Sequence, residues 1–278
     1  MRIEITEDAV AYRAATESFL SRDLLRHTVI ATGVANHVER RQAAGVRSRF
    51  LSVRAADGAV VGVAMRAGGR EVYLGELPTP SLRPVAEAFA AAAPDNSGVE
   101  GIVADAEAFA EHWCALRGTE RRELFRTRLF RLGELRFPAA VEGGPRRAMG
   151  RDVALCVEWS EAMHIESALP PPFPSPSVVR GRVAAGRWWL WEVGGRPVSL
   201  VAHQVPVGGL ARIGPVYTPP AERGRGYASA LTAHVSHTLR RNGLDVCLFA
   251  DLANPTSNKI YRAIGYEAVH EFANYVFE

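Results

Sequence analysis

The chain has 278 residues, of which 47% are apolar, with a formal net charge of +3. That length exceeds a typical domain of about 100–150 residues and predicts two domains with full cores. So small a charge, with a single lysine (Lys259), argues against a nucleic-acid partner, as no basic run is interleaved with aromatics. Cys114, Cys156 and Cys247 are far apart and form no C-x-x-C pair, which argues against a disulfide framework or a zinc site and predicts buried free thiols. Met1–Ile5 reads as a strand rather than a signal peptide, and no apolar run approaches the roughly 20 residues that span a bilayer. The expectation is a cytoplasmic protein without a membrane partner.

In chain order, residues 2–5 form a strand, and Glu7–Leu20 and Leu24–Arg41 repeat apolar residues at helical spacing. Arg49–Ala55 and Val60–Met65 flank the hairpin signal Asp57-Gly58, and Glu71–Leu77 is a further strand. An Ala-rich helix opens near Ser81 and stops before Pro94; Val99–Ala104 is a strand and Ala106–Leu116 a helix ending at Gly118. Phe125–Leu135 is a strand, and a Pro/Gly-rich stretch, 137–144, leads to a helix over Arg151–Ser167. Leu169–Pro176 is a stiff proline-rich segment, read as a rigid connector or as a ligand for a partner. After a short helix, Ser177–Ala185, the strands Trp188–Val193, Pro197–Val205 and Leu210–Tyr217 follow one another through glycine turns. A helix from Tyr227 closes at Asn242-Gly243, Asp245–Ala250 is a buried strand, and Ala268–Phe277 gives one or two closing strands.

The order of elements in the first half recurs in the second, predicting domains at 1–122 and 123–278. Between the strand 213–217 and the helix from Tyr227 lies Arg223-Gly224-Arg225-Gly226-Tyr227-Ala228. The first N–H groups of a helix lack intrahelical partners, and the helix dipole places roughly half a positive charge beside them. Two glycines ahead of such an end permit a sharp turn and close approach of an anion. The corresponding turn of the first half, Leu77–Pro84, has three prolines and no glycine, so that half reads as a degenerate copy unable to cradle phosphate.

Arg223-x-x-Gly226-x-Ala228, followed by Asn254, Ser257, Tyr261 and Gly265-Tyr266, resembles the two motifs of the GNAT superfamily of N-acetyltransferases. The resemblance implies two α/β domains, each a mostly antiparallel mixed sheet with a splayed central parallel pair and flanking helices. It implies acetyl-CoA as co-substrate and a primary amine, on a small molecule or a peptide, as acceptor. Carried over, Val216, Tyr217 and Thr218 make backbone contacts to the pantetheine arm, while Arg223, Gly224, Arg225, Gly226, Tyr227 and Ala228 hold the pyrophosphate. Asn254 and Ser257 bond the cofactor, and Tyr261, protonated at neutral pH, is the general acid.

Glu192 and His203 are candidate general bases, with an ordered water as the alternative. His234 and His237, three apart without a third ligand, read as a solvated helix face rather than a metal site. Trp188, Trp189, Trp191 and Phe173 are candidates for an acceptor pocket, although Trp188 and Trp189 must face opposite sides of their strand. The competing function is a non-catalytic acyl-CoA-binding sensor.

Overall fold

In the computed structural model, residues 1–39, 47–167 and 175–278 are described. Leu169–Pro174, Phe173 among them, and the last two residues of the helix expected to reach Arg41 lie outside the described residues. The chain forms two compact units. The first comprises Met1–Leu129, Asp251–Ala253 and His270–Glu278; the second comprises Phe130–Ala250 and Asn254–Val269. No helix among the described residues is long and apolar enough to cross a membrane.

The first unit contains β1 (Arg2–Thr6), α1 (Ala9–Leu20), α2 (Leu24–Val38), β2 (Arg49–Arg54), β3 (Val60–Arg66), β4 (Val72–Leu74), α3 (Leu82–Ala92), β5 (Gly98–Ile102) and α4 (Val103–Arg117). Strands β1 to β4 pair antiparallel in chain order, and β4 then pairs parallel with β5 across the α3 crossover. Asp8 caps α1 by accepting from the amides of Val10 and Ala11, which satisfies two of the helix's unpaired donors. The hairpin turns at Gly58, whose φ of +86° explains the glycine. The chain's last residues return to this unit: Phe272–Val276 pairs antiparallel with β5, from Phe272↔Ile102 to Val276↔Gly98. One closing strand thus reaches into the first unit's ladder, where the sequence suggested one or two strands ending the second half.

The second unit receives the end of β6 (Arg121–Leu132) and contains β7 (Gly144–Arg147), α5 (Val153–Glu166), α6 (Pro176–Ala184), β8 (Trp188–Val193), β9 (Arg196–His203), β10 (Leu210–Tyr217), α7 (Tyr227–Arg241), β11 (Asp245–Asp251), α8 (Pro255–Ala263) and the start of β12 (Tyr266–Phe277). Strands β7, β8, β9 and β10 are antiparallel neighbours, and β10 pairs parallel with β11 across the α7 crossover. The sequence of helices, meander and parallel crossover in the first unit therefore recurs here. Residues 144–147, which follow the Pro/Gly-rich stretch and for which no strand was expected, pair with β8 as an edge strand, and Arg146 ties them to Asp152 through two hydrogen bonds of 2.6 and 2.9 Å. Pairing with Arg146 holds the Asp152 carboxyl below its ordinary value, and the donated Met149 amide acts in the same direction.

Alternation along β8 sends Trp188 and Leu190 into a core shared with α5 and α6, and Trp189 and Trp191 into the core under α7. All three tryptophans are buried. Cys156 and Cys247 are buried free thiols as expected, whereas Cys114 is only half-buried.

In the first unit, Trp113 is 2% exposed. It stacks between Phe109, at 6.1 Å, and Phe277, at 5.2 Å. Trp113→Ala removes that aromatic stack and leaves a cavity, so we expect a loss of about 3–5 kcal/mol, read as an earlier urea unfolding midpoint by circular dichroism.

Candidate functional site: a glycine turn at a helix N-terminus

The site is built on β10 and α7. The parallel ladder runs from Leu210↔Asp245 to Ile213↔Leu248, and both strands continue beyond their last pair. At the same point the antiparallel register of β10 against β9 shifts, between Ile213↔His203 and Val216↔Val201. The interruption falls at Gly214-Pro215, and Pro215 has no N–H to offer a ladder. Past the break, Val216 and Tyr217 stay bonded to β9 on one side while β11 departs on the other. This is the splayed parallel pair.

From Tyr217 the chain makes one short helical turn, Pro220–Glu222, and then the two glycines. Gly224 has φ +76° and Gly226, the N-cap of α7, has φ +83°, a conformation that L side chains rarely adopt. A Cβ on Gly226 would also meet Val141 Cγ1 at 2.9 Å. No side chain caps α7, so its first N–H groups are left to the turn. Buried Tyr227, Ala230, Leu231, Val235 and Leu239 seat the helix against Trp189, Val201 and Ile213. Buried Ser236 adds a 2.7 Å hydrogen bond with the Tyr266 hydroxyl. The open end is therefore fixed in place, and its donors suit an oxyanion such as a phosphate.

The turn's two arginines are already engaged. Arg223 Nε donates to the Thr218 carbonyl at 2.9 Å, its guanidinium pairs with Glu166 and lies over the Tyr217 ring. The Tyr217 hydroxyl donates to Glu166 Oε1 at 2.7 Å. These two donors hold the Glu166 carboxyl below its ordinary value, Arg223 having the larger effect. Burial and the Glu166 carboxylate push the Tyr217 phenol up. Arg225 pairs with buried Glu222 at 3.3 Å, and Glu222 also takes Arg196 at 2.7 Å. Ser199 Oγ donates to the Tyr217 carbonyl at 3.1 Å and lies 2.9 Å from the Thr218 hydroxyl, fixing the end of β10.

Asn254 caps α8, accepting from the Ser257 amide at 3.0 Å. Its Oδ1 is thus occupied by the cap, and its side-chain NH₂ remains as a donor. Ser257 and Tyr261 lie four apart on α8, on one face. Tyr261 is 7% exposed, packs against Phe130 and Tyr266, and belongs to the same core as Tyr227 and Leu231. Burial pushes its phenol up to about 12, and the hydroxyl makes no hydrogen bond among the described residues.

Each of the two candidate bases is engaged by a neighbour. Glu192 is paired with Arg146 at 2.7 Å, in the network that also holds Asp152. His203, buried at the end of β9, contacts the Gln204 carbonyl through Nδ1 at 2.9 Å and lines a cavity beside Val235, Thr238 and Leu239. Thr238 lies eleven residues into α7, about 16 Å from its start at 1.5 Å per residue. His234 and His237 are half-buried rather than solvated, edge-on to Trp189 and Phe137 respectively, because residues 137–141 cover that stretch of α7. Trp191 donates to the Glu142 carbonyl at 2.8 Å and lines an apolar pocket of about 240 Å³ with Phe137, Val141 and Ala230.

Two residues at the site escaped the sequence reading. Glu222 had a signal, since it stands three before Arg225. Glu166 had none, being 57 residues from Arg223 and joined to it only by the fold.

In the first unit, the turn at the same place in the topology is filled. Leu77 and Leu82 are buried in its core, the Ser81 amide and hydroxyl both donate to the Pro78 carbonyl, and Pro84 removes an N–H from the first turn of α3.

Residues 193–276 match the model of the family described as FR47-like protein. No curated protein matches the chain. An acetyltransferase of the GNAT family from Colwellia psychrerythraea is 11% identical, with all of both chains covered and a TM-score of 0.61. A GCN5-related N-acetyltransferase from Sphaerobacter thermophilus is 17% identical over 99% of this chain and 95% of its own, with a TM-score of 0.63. A tandem GNAT protein from the clavulanic acid biosynthesis pathway is 14% identical over 100% of this chain and 98% of its own, with a TM-score of 0.58. The chain carries the tandem GNAT fold, and its residues 193–276 match the FR47-like family.

Proposed function

We propose that residues 123–278 transfer an acetyl group from acetyl-CoA to a primary amine, and that residues 1–122 form a half that binds no cofactor. The observation that carries this reading is the uncapped N-terminus of α7 behind Gly224 and Gly226, set beside the splay of β10 and β11. Both offer backbone donors and acceptors where a phosphorylated thioester needs them. In this reading the turn holds the pyrophosphate and Val216–Thr218 lies along the pantetheine arm. Asn254 offers its free NH₂ to a cofactor carbonyl.

Transfer forms a bond between the amine nitrogen and the acetyl carbon and breaks the bond from that carbon to sulfur. The sulfur leaves as a thiolate and needs a proton, which Tyr261 supplies. The nitrogen gives up a proton, and an ordered water accepts it, because Glu192 is held by Arg146 and His203 faces the far end of α7. The acceptor is a small molecule or a peptide bearing a primary amine.

Calorimetry on the purified chain should show acetyl-CoA binding that Gly226→Glu abolishes, since the new side chain meets Val141 and places a negative charge at the phosphate position. Unchanged affinity in that variant would remove the turn from the cofactor site. Tyr261→Phe should keep the binding and lower thiol release, against the best amine of a panel, by about 10²–10⁴-fold. Binding without thiol release for any amine would instead make the protein an acyl-CoA sensor.

A pH profile adds a separate check. General acid function needs the protonated phenol, which is lost only as pH rises through about 12. The wild-type rate should therefore show no loss from this group at pH 10, where an ordinary tyrosine is half ionised.

A further inference from the structure

The cavity that takes His203 is a polar site unused by the proposed transfer. It encloses about 180 Å³ between β8, the end of β9 and the second half of α7. At about 30 Å³ per water this admits a small molecule and excludes a coenzyme A nucleotide. Its floor is apolar, with Val235, Leu239 and Leu244, and Thr238 and Asn242 add polar groups.

Positive charge gathers at this cavity. Arg147 and Arg187 both line it, and no carboxylate does so among the described residues. Arg187 is 8% exposed. The Arg147 guanidinium lies 5.1 Å over the Trp189 ring, and it makes no ion pair among the described residues. Gly186, at φ +68°, leaves room for it: a Cβ there would meet Arg147 Nη1 at 2.9 Å. Burial holds the His203 imidazole below its ordinary value, and the charges of Arg187 and Arg147 act in the same direction. Trp189 lines the cavity and is 9% exposed, so its ring forms part of the wall beneath the Arg147 guanidinium.

We propose that this cavity binds a small organic carboxylate, held by the Arg147 fork, with its carbon chain on Val235 and Leu239. The planar guanidinium fork matches a carboxylate, and the apolar floor suits a short chain better than a bare inorganic anion. This assignment is independent of the acetyl-transfer reading, since none of its residues belongs to the turn or to α8.

The test is a titration of the full chain with sodium butyrate at constant ionic strength, followed by the indole N–H signals in ¹H–¹⁵N spectra. Five tryptophans give five such signals, and that of Trp189 is the one lost in Trp189→Phe. Butyrate should shift it saturably, and the exposed substitution Arg147→Gln should weaken the apparent affinity by at least about tenfold. Arg147→Lys, which keeps the charge without the fork, should fall between the two. Three results would each overturn the proposal: no shift at any butyrate concentration, an equal shift with n-butanol or n-butylamine, or unchanged affinity in Arg147→Gln. Inorganic phosphate acting at lower concentration than butyrate would overturn the carboxylate assignment as well.

Discussion

The left-handed backbone at Gly226 is the constraint on which the second unit's site depends. A helix with a side-chain cap spends its first donors on its own sequence. Here the chain enters α7 through a glycine at φ +83° with no cap, so those donors stay open toward the end of β10. An open end is useful only if it is held still. The apolar stripe from Tyr227 to Leu239 docks it on β8, β9 and β10, and the terminus closes at Asn242-Gly243, where Gly243 has φ +76°. Packing along one face and glycine at both ends thus turn an ordinary amphipathic helix into a fixed arrangement of donors.

The same turn is electrically balanced before any ligand arrives. Arg223 is matched by Glu166, and Arg225 and Arg196 share Glu222. The exposed Arg223–Glu166 pair contributes little to stability, up to about 1 kcal/mol. Its effect is positional. Arg223 bonds both the Thr218 carbonyl and Glu166, and Tyr217 reaches the same carboxylate, so the end of β10, the turn and the end of α5 are tied together. The arginines are therefore oriented by their own partners, and the backbone donors of the turn are set in place by the packing of α7.

Much of this was legible in the sequence, and for physical reasons. The 3.6-residue period over Ala230, Leu231, Val235 and Leu239, bounded by two glycine signals, specifies α7 almost alone, and Asp57-Gly58 between apolar runs specifies its hairpin. Edge strand β7 was not legible, because Gly144–Arg147 has no alternating pattern and is held by Arg146 bonding forward to Asp152. The positions of Glu192 and His203 were not legible either. Residue type and a place on a strand mark both as candidate bases, but only tertiary contacts show Glu192 tied to Arg146 and His203 beside the far half of α7. Local signals specify elements and caps, whereas partners remote in sequence, such as Glu166 for Arg223, arise from the fold.

The two units supply a comparison within one chain. Both place a parallel pair around a crossover helix, β4–α3–β5 and β10–α7–β11, and both seat that helix on a buried apolar face. The architecture is therefore indifferent to the turn ahead of the helix. In the first unit that turn spends its polar groups on itself, with Ser81 donating to Pro78, and fills its space with Leu77 and Leu82. In the second, two glycines at positive φ leave both the donors and the space open. A handful of residues decides whether the same crossover helix begins in packed core or behind a glycine turn with uncapped donors.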